Sequence, residues 1–369
     1  MINNMDKKRV MITGAAGYIG AMLVDYMASR DDVGLIFAID KDPETELTKK
    51  WTDNANSKGE NNSKGENACR VLYFQGNLAN PNWEIIANTY KPEIIIHTAW
   101  QIREIYNRRD VSWLYNIVGS DKVFDFAFNH DYVKRLIHFS TVASYGASPH
   151  NDINYKYTES DILRESVYLY AEEKRITEGH LLAKYNVATH KPMVMILRPA
   201  SITGPRLRYE MKKFSLQSAL SGSLKKQGGI LNQIVGTMTS FMPSTKGWLR
   251  QYVHEDDVVQ IVSTLALSTD VHDEYEIYNL CPPGPVVTPE DMSKALGKSH
   301  INIPERLIQV VFSIFWHLTR GRVPTAPGVW LGYSYPIGVD GSKVTNRLEY
   351  KYNFESLAAL TKNEGRYKK

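Results

Sequence analysis

The sequence has few cysteines, little excess charge and no apolar run of membrane-spanning length. Its two cysteines, Cys69 and Cys281, lie far apart and without metal-ligand spacing. Neither a disulfide scaffold nor a zinc site is therefore predicted, and a reducing compartment, the cytoplasm, is expected. The N-terminal stretch lacks the apolar core of a signal peptide. A formal net charge of +4 over 369 residues does not favour a nucleic-acid partner and is compatible with an anionic small-molecule substrate.

The most apolar stretch, residues 307–318, reads LIQVVFSIFWHL and is about half as long as a bilayer-spanning helix. It contains the polar residues Gln309, Ser313 and His317. We therefore predict a packed helix introduced by Pro304 and Glu305, and no membrane span. A membrane-surface or lipid-facing role is the alternative.

What the chain has is a regular alternation of apolar runs and helical patterns, in a composition that is 43% hydrophobic and 23% charged. Near-continuous apolar strands alternating with helices predict an α/β fold, a Rossmann-type doubly wound parallel sheet with a smaller C-terminal substrate lobe. Strands are predicted at 9–13, 34–40, 70–75, 93–99, 135–140 and 193–199, and helices at 17–30, 82–90, 111–130 and 161–186.

A glycine-rich loop, TGAAGYIG (13–20), joins the first predicted strand to the first helix. Gly14 allows a tight turn, Gly17 lets the backbone approach a pyrophosphate, and Gly20 brings the helix close to the strand. The helix N-terminus presents free N–H groups to phosphates. The strand–loop–helix context predicts a dinucleotide site rather than an ordinary tight turn.

Asp40 ends the second predicted strand, 26 positions after Gly14. A carboxylate there accepts both ribose hydroxyls of NAD and repels the extra phosphate of NADP, so NAD is favoured. Lys41, the next residue, weakens that preference. The alternative for Asp40 is a turn residue at the strand end.

The alternation fades after about residue 200, where Gly, Pro and Trp become frequent. We expect a dinucleotide-binding domain over 1–200, with a returning strand and helix at about 250–270, and a substrate-binding lobe over 201–369 interleaved with it. Within the first domain NSKGEN occurs twice in tandem at 56–67. It lies in a polar stretch from about 42 to 67, which predicts a flexible surface loop.

Further motifs follow in order along the chain, namely HTAW (97–100), YNIVGSDKVFDFA (115–127), FSTVASYG (139–146), SVYLYAEEK (166–174), LRPASITGPR (197–206) and RQYVHEDDVV (250–259). Over roughly residues 9–270 this series resembles the extended short-chain dehydrogenase/reductase superfamily, and within it the NAD-dependent epimerase/dehydratase family. The C-terminal hundred residues resemble it poorly. The resemblance implies NAD as cofactor.

The resemblance also assigns roles to individual residues. Thr141, Tyr170 and Lys174 are implied to be catalytic. Arg250 is implied to grip the diphosphate of a nucleotide sugar, with Arg206 as a second candidate. The residues implied to bind NAD are Gly14, Ala16, Gly17, Tyr18, Ile19, Asp40, Asn77, Leu78, Thr98, Ala99, Trp100, Asn116, Tyr170, Lys174 and Pro199.

Two departures from the family pattern bear on the function. Asn77 stands where the family usually has an aspartate that contacts adenine, and an amide also hydrogen-bonds the adenine edge. Val142 and Ala143 stand where sugar dehydratases have Asp-Glu. Neither side chain can protonate a leaving hydroxyl, so 4,6-dehydration is disfavoured.

The pair Tyr170 and Lys174 suggests an acid–base mechanism, because residues four apart share one helix face. An ammonium beside a phenol favours the phenolate, so we expect Lys174 to lower the pKa of Tyr170 from about 10 toward neutrality. Tyr170 would then exchange a proton with a substrate oxygen that Thr141 also contacts. The alternative is a solvated helix face.

Charged residues near the later motifs have competing interpretations. An ion pair with Glu255 is the alternative for Arg250, and Arg198 is predicted to pin the end of its strand. The run 254–257, HEDD, is predicted to begin a helix rather than to bind a metal, because acidic side chains suit the positive end of a helix dipole.

Three functions remain open on the sequence. An NAD-dependent nucleotide-sugar epimerase, similar to UDP-sugar 4-epimerases, is favoured. The second is a net dehydrogenase or reductase of an apolar hydroxylated substrate, similar to a steroid alcohol, for which the aromatic stretch 307–335 would wall a pocket. The third is a non-catalytic dinucleotide sensor. The apolar stripes of helices 111–130 and 161–186, by family resemblance, imply a homodimer.

Overall fold

In a computed structural model, the chain folds around a seven-stranded parallel sheet. Its strand order is β11 (Tyr275–Leu280), β7 (Met193–Pro199), β5 (Arg135–Phe139), β4 (Ile94–His97), β1 (Lys8–Thr13), β2 (Val33–Asp40) and β3 (Arg70–Gln75). The structure describes residues 7–56, 69–210, 219, 222–226, 228–268 and 274–368. The duplicated NSKGEN segment lies outside these ranges apart from Asn56. The direction of winding reverses between the neighbouring strands β1 and β4, which confirms the Rossmann-type α/β fold.

The strands are β1 (Lys8–Thr13), β2 (Val33–Asp40), β3 (Arg70–Gln75), β4 (Ile94–His97), β5 (Arg135–Phe139), β6 (Lys156–Tyr157), β7 (Met193–Pro199), β8 (Ser201–Thr203), β9 (Met242–Ser244), β10 (Tyr252–His254), β11 (Tyr275–Leu280), β12 (His300–Asn302) and β13 (Gly338–Val339). The α-helices are α1 (Tyr18–Ala28), α2 (Glu46–Asn56), α3 (Asn82–Tyr90), α4 (Arg109–Trp113), α5 (Gly119–Asn129), α6 (Leu169–Val187), α7 (Ser223–Lys226), α8 (Ile230–Met238), α9 (Glu255–Leu267), α10 (Pro289–Ala295), α11 (Glu305–Leu318), α12 (Ser342–Leu348) and α13 (Ser356–Thr361).

Helices cover both faces of the sheet because its central strands are apolar on both sides. On one face α1 and α9 pack their apolar side chains onto the sheet. On the other face α3, α5 and α6 do the same. Burying both faces explains why the strands read as continuous apolar runs rather than as alternating patterns. The prediction that the chain re-enters a helix at the HEDD run is confirmed, since α9 begins at Glu255.

Three elements differ from the sequence prediction. Residues 46–56, assigned to a polar loop, form α2, whose Trp51 donates its indole N–H to Asp25 at 3.0 Å and whose Thr48 is buried. Helix α6 begins at Leu169 rather than at 161, because Asp161 closes a turn by accepting the N–H of Thr158 at 2.7 Å. The seventh strand, β11, was not predicted at all.

The C-terminal half adds a smaller lobe at the carboxyl edge of the sheet. Two-stranded pairings join β8 to β10, β9 to β12 and β6 to β13. A separate core cluster centred on Trp248, Tyr252 and Met292 holds the lobe together. Among the described residues, no helix combines the length and apolarity that a membrane crossing requires.

Candidate active site

The glycine loop folds as a tight turn between β1 and α1. Gly14 has a φ of +73°, and a Cβ atom there would lie 2.6 Å from the amide nitrogen of Ala99. A Cβ atom on Gly20 would collide with the carbonyl oxygen of Gly14. The first position therefore needs glycine for its conformation and the last for its packing.

The N-terminus of α1 suits an anionic ligand. Gly17 caps the helix without a side-chain hydrogen bond, and the first turn, which starts with Tyr18 and Ile19, has no acidic residue. The backbone N–H groups of that turn and the positive end of the helix dipole fit the pyrophosphate of a dinucleotide.

Asp40 lies beside this loop because β2 runs parallel to β1. Its Oδ2 accepts the N–H of Ala16 at 2.9 Å, and its Oδ1 accepts the N–H of Asp42 at 3.0 Å. Lys41 pairs with Asp42 at 3.0 Å. Asp40 is thus fixed at the carboxyl end of its strand, at the position from which a ribose contact is predicted.

The other predicted cofactor residues lie at the same edge of the sheet. The Thr98 hydroxyl donates to the carbonyl of Thr13 at 2.7 Å. Asn77 follows β3 and accepts the backbone N–H two residues further on at 3.0 Å. Leu78 follows β3, Ala99 and Trp100 follow β4, and Pro199 ends β7. The topology therefore gathers residues at the ends of three further strands, β3, β4 and β7, onto the edge that carries the glycine loop and Asp40, as parallel strands require.

The predicted acid–base residues come together at this edge. Thr141 follows β5 and caps a short 3₁₀ turn, Val142–Tyr145, through a hydrogen bond from the N–H of Ala143 to its Oγ1 at 3.2 Å. Tyr170 lies in the first turn of α6, and its buried phenol lies near the Thr141 side chain. Burial raises the pKa of Tyr170, and the nearby Thr141 hydroxyl opposes that rise.

Lys174 does not lower the pKa of Tyr170 in this structure. The Lys174 ammonium donates to the carbonyl of Phe139 and lies 3.4 Å from the centre of the Trp100 ring. Burial holds the pKa of Lys174 well below its usual value, while Glu178 and Glu173 raise it in part. The prediction that the pKa of Tyr170 is lowered toward neutrality is therefore wrong for this structure, because the ammonium contacts other groups and the phenol is desolvated.

Asn116 lies in a turn of π-helix, Leu114–Val118, and its side chain connects neighbouring segments of the site. Its Oδ1 accepts the N–H of Gln101 at 2.7 Å, and its Nδ2 donates to the carbonyl of Gln101 at 3.1 Å. The same Nδ2 donates to Glu173 at 2.6 Å. Asn116 therefore joins the segment after β4 to α6, and π-turns of this kind occur frequently at functional sites.

Glu173 is a residue that the sequence analysis missed. It is 2% exposed, and burial raises the pKa of its carboxyl to about 6. Its Oε1 has no hydrogen-bond partner among the described residues. A signal was available, because Tyr170, Glu173, Lys174 and Thr177 follow the spacing of one helix face, and a buried stripe containing a glutamate is uncommon.

Arg250 lies in an aromatic setting. Its guanidinium donates to Ser201 Oγ at 3.3 Å and to the carbonyl of Gly332 at 3.0 Å, and it lies 5.6 and 5.1 Å from the ring centres of Trp248 and Tyr333. Its Nε has no partner among the described residues. The alternative of an ion pair with Glu255 is wrong. One donor of the guanidinium therefore has no acceptor in the described part of the chain.

Arg206 is placed elsewhere, against the glycine loop. Its guanidinium donates to the carbonyl of Tyr18, and its backbone N–H donates to Glu255 at 2.9 Å. Glu255 also accepts the hydroxyl of Tyr18. Arg206 is 7% exposed. These contacts support a role in packing the loop and do not support the predicted contact with substrate.

The predicted structural role of Arg198 has a clear basis. Its guanidinium forms a two-pronged ion pair with Glu178, with Nε–Oε1 at 3.1 Å and Nη2–Oε2 at 2.6 Å. Its Nη1 donates to the Tyr145 hydroxyl at 2.9 Å. Arg198, Tyr145 and Glu178 thus connect β7, the turn after Thr141 and α6. They fix the position of Thr141 relative to Tyr170.

Comparison with known proteins identifies the group to which this architecture belongs. A family model described as the NAD dependent epimerase/dehydratase family matches residues 10–281. The chain belongs to the NAD-dependent epimerase/dehydratase family. The resemblance predicted from the motifs is thereby confirmed, and NAD is the cofactor of the family.

Individual relatives of this epimerase/dehydratase chain are distant. The dTDP-D-glucose 4,6-dehydratase of Dictyostelium discoideum is 24% identical over 302 residues, which are 75% of this chain and 60% of that protein. The chain thus spans less than two thirds of the length of this relative.

Solved structures share the fold at low sequence identity. The Bordetella bronchiseptica enzyme WbmG, in complex with NAD, is 17% identical, with a TM-score of 0.66 over 98% of this chain and 94% of that one. The UDP-glucose 4-epimerase of Thermotoga maritima, with UDP-glucose, is 18% identical, with a TM-score of 0.62 over 96% of each chain.

The residues present fit the family's cofactor. Gly17 caps α1 without a side-chain hydrogen bond, and Asp40 lies at the end of β2, from which a ribose contact is predicted. Trp100 has a buried indole N–H without a partner among the described residues. Donors at the loop and an aspartate at the neighbouring strand end are the groups that a dinucleotide requires.

Proposed function

We propose that this protein is an NAD-dependent epimerase of nucleotide sugars, acting on a UDP-sugar at the ring carbon numbered four. The observation that carries the proposal is the placement of the Thr141 side chain beside the buried Tyr170 phenol, on the same carboxyl edge of the sheet as the glycine loop. Two hydroxyls directed at one position can bind the same substrate oxygen. NAD, when bound, supplies a reversible hydride acceptor.

The side chains of Tyr170, Thr141 and Lys174 would transfer the proton and orient the substrate. Tyr170, as a neutral phenol with a raised pKa, is suited to give a proton to a carbonyl oxygen, and Thr141 orients that oxygen. The reverse transfer needs the phenolate, which burial disfavours. Lys174 favours it only if its ammonium turns from the Phe139 carbonyl toward Tyr170. Lys174 would also hold the nicotinamide ribose.

Arg250 supports a nucleotide-sugar substrate. Its guanidinium has an Nε without a partner among the described residues, and its two hydrogen bonds, at 3.3 and 3.0 Å, go to neutral oxygens. A planar fork with spare donors suits the oxygens of a diphosphate. The flanking rings of Trp248 and Tyr333 keep the guanidinium in place.

The residues after Thr141 favour epimerisation over dehydration. Elimination of water from a sugar requires an acid that protonates the leaving hydroxyl. Val142 and Ala143, at the positions where dehydratases carry Asp-Glu, have no titratable atom. The relationship to a dTDP-D-glucose 4,6-dehydratase therefore supports the substrate class more than the reaction.

A net dehydrogenase of an apolar hydroxylated substrate is the second candidate. It is favoured by the aromatic surroundings of Tyr170. The ring of Tyr168 lies 5.6 Å from that of Tyr170, and Phe312 lies 5.3 Å from Tyr333. A sterol-like alcohol would suit such a wall, whereas it would leave Arg250 without an anionic partner.

The two candidates are separated by following the nucleotide and the sugar together. The purified protein is first examined by native mass spectrometry for retained NAD, and then incubated with UDP-glucose under NMR observation. Epimerisation predicts UDP-galactose without accumulation of NADH. Accumulation of NADH with an apolar secondary alcohol, and no sugar conversion, would replace the first proposal with the second.

We also propose a homodimer in a reducing cytoplasm. Trp113, Leu114 and Leu182 are 45%, 42% and 45% exposed along α4, the π-turn and α6. These are the helices that pair across a two-fold axis in the family. Neither Cys69 nor Cys281 forms a disulfide within the described part of the chain. Light scattering that gives the mass of one chain would refute the dimer.

A further inference from the structure

Helix α11 is apolar on its outer face as well as on its inner face. Leu307, Val310, Ile314 and Leu318 are 50%, 53%, 56% and 79% exposed. They are spaced by three or four residues, so they form one stripe along the helix, here called the outer stripe. The inner face is anchored by Ile308 and Trp316, which are 8% and 5% exposed. A surface helix ordinarily presents polar residues outward, so the outer stripe is a feature to be explained.

Basic residues mark both ends of the outer stripe. Arg306 precedes it, and Arg320 and Arg322 follow it, all three exposed. No hydrogen bond or ion pair joins these guanidinium groups to the described part of the chain. Between residues 298 and 322 the sequence has four Lys or Arg residues and one acidic residue, Glu305. The neighbourhood of the stripe is therefore cationic.

We propose that α11 is a docking helix for anionic lipid membranes, with the outer stripe inserted among the lipid chains and the arginines at the headgroups. An apolar stripe flanked by arginines is the composition of helices that lie in a membrane interface. At 14 residues, the helix is about 21 Å long and lies along such a surface rather than across it.

A second copy of the chain fits this surface less well. A two-fold contact between antiparallel α11 helices would bring Arg306 of one copy toward Arg320 and Arg322 of the other. Like charges brought together in this way oppose association. Anionic headgroups complement both ends of the helix at once.

The inner face of α11 connects this surface with the candidate active site. Trp316 and His317 contact Tyr106, with ring centres 5.4 Å apart for Trp316 and a hydrogen bond of 3.1 Å for His317. Phe312 contacts Tyr333, which lies 5.1 Å from the Arg250 guanidinium. Docking would therefore hold the substrate-side lobe at the bilayer. The inference does not depend on the proposed reaction.

Vesicle flotation of the full-length protein tests the proposal, with phosphatidylcholine vesicles prepared with and without phosphatidylglycerol. We expect the protein to float with the phosphatidylglycerol vesicles and to be released by high salt. Replacing Arg306, Arg320 and Arg322 by Gln should weaken partitioning about a hundredfold, since each basic residue near an anionic surface contributes about fivefold. Gln at the exposed Lys49, Lys91 and Lys351 is the matched charge control and should have little effect.

The outer stripe is tested with the double variant Val310→Asp, Ile314→Asp. Flotation should be lost while circular dichroism and thermal unfolding stay as in the parent. The matched control is Ile85→Asp on α3, at a residue that is 73% exposed, and it should float normally. The proposal is overturned if the parent protein does not float, if both vesicle types bind it equally, or if Ile85→Asp is as damaging. It is equally overturned if the double variant alters the oligomeric mass and leaves flotation unchanged.

Discussion

The buried ion pair Arg198–Glu178 gives the sharpest prediction about how the site is held together. The two side chains are 3% and 6% exposed, and they connect β7 to α6 eight residues after Tyr170. We consider the single variants Glu178→Gln and Arg198→Met and the double variant that combines them. Either single change leaves one buried group without its charge partner.

The expected magnitude follows from this burial. Removing one member of a buried pair costs about 3–5 kcal/mol of unfolding free energy, because the remaining charge stays desolvated and uncompensated. The double variant removes both charges, so its loss should be smaller than the sum of the two single losses by about 2 kcal/mol or more. Tyr145 keeps its hydrogen bonds to the Thr158 carbonyl at 2.8 Å and to Asn279 at 2.9 Å in all variants.

Urea unfolding at neutral pH, followed by tryptophan fluorescence, measures these losses. The exposed pair Arg108–Asp110 is the matched control, with side chains 58% and 68% exposed, and its cycle should show no resolvable coupling. Strictly additive losses at Arg198 and Glu178, or single losses no larger than those at the exposed pair, would refute the reasoning.

The remaining predictions concern the site itself. Glu173→Gln should alter the pH dependence of stability. Because the pKa of Glu173 is raised from 4.5 to about 6, the folded state binds more protons than the unfolded state, and the unfolding free energy of the parent should fall by about 2 kcal/mol as pH rises from 4.5 to 6. The variant should lack this fall in urea titrations. Gly20→Ala should abolish the thermal stabilisation by NAD, because the added Cβ atom would collide with the Gly14 carbonyl. Gly179→Ala should preserve it, because a Cβ atom there has no neighbour within 4 Å. Equal loss of NAD stabilisation in the two variants would contradict this prediction. Asp40→Ser should narrow the preference for NAD over NADP in calorimetric titrations by about tenfold, since one carboxylate–phosphate repulsion is removed; an unchanged ratio would contradict the ribose assignment.

The sheet could be predicted because strands buried on both faces have near-continuous apolar sequences. The runs 34–40 and 193–199 differ from β2 and β7 by a single residue at most. The strand β11 was not predicted, since the polar residues Glu276 and Asn279 interrupt the apolar run of YEIYNL, which also lies in a region without helical alternation. Helix α2 was not predicted because its sequence is polar: among its described side chains Leu47 and Trp51 pack against the core, whereas Glu46, Lys49 and Lys50 are exposed.

The position of the site could be predicted from the sequence, whereas the contacts of its charged side chains could not. The motif order placed Thr141 and Tyr170 at one edge, and the structure brings their side chains close together. The contact of Lys174 with the Phe139 carbonyl depends on a side-chain direction that residue spacing does not determine. The carboxylate of Glu173 beside Asn116 depends likewise on the packing of two helices that are distant in sequence.

The central claim is that the Tyr170 hydroxyl transfers the proton in an NAD-dependent reaction. The most direct measurement compares kcat for UDP-sugar interconversion by Tyr170→Phe with that of Tyr185→Phe, a change on the same helix whose hydroxyl bonds to Glu274 at 3.1 Å. Loss of general acid–base catalysis should lower kcat by about 10²–10⁴-fold for Tyr170→Phe, with NAD retention unchanged, and Tyr185→Phe should turn over normally. Equal turnover by the two variants would contradict the account.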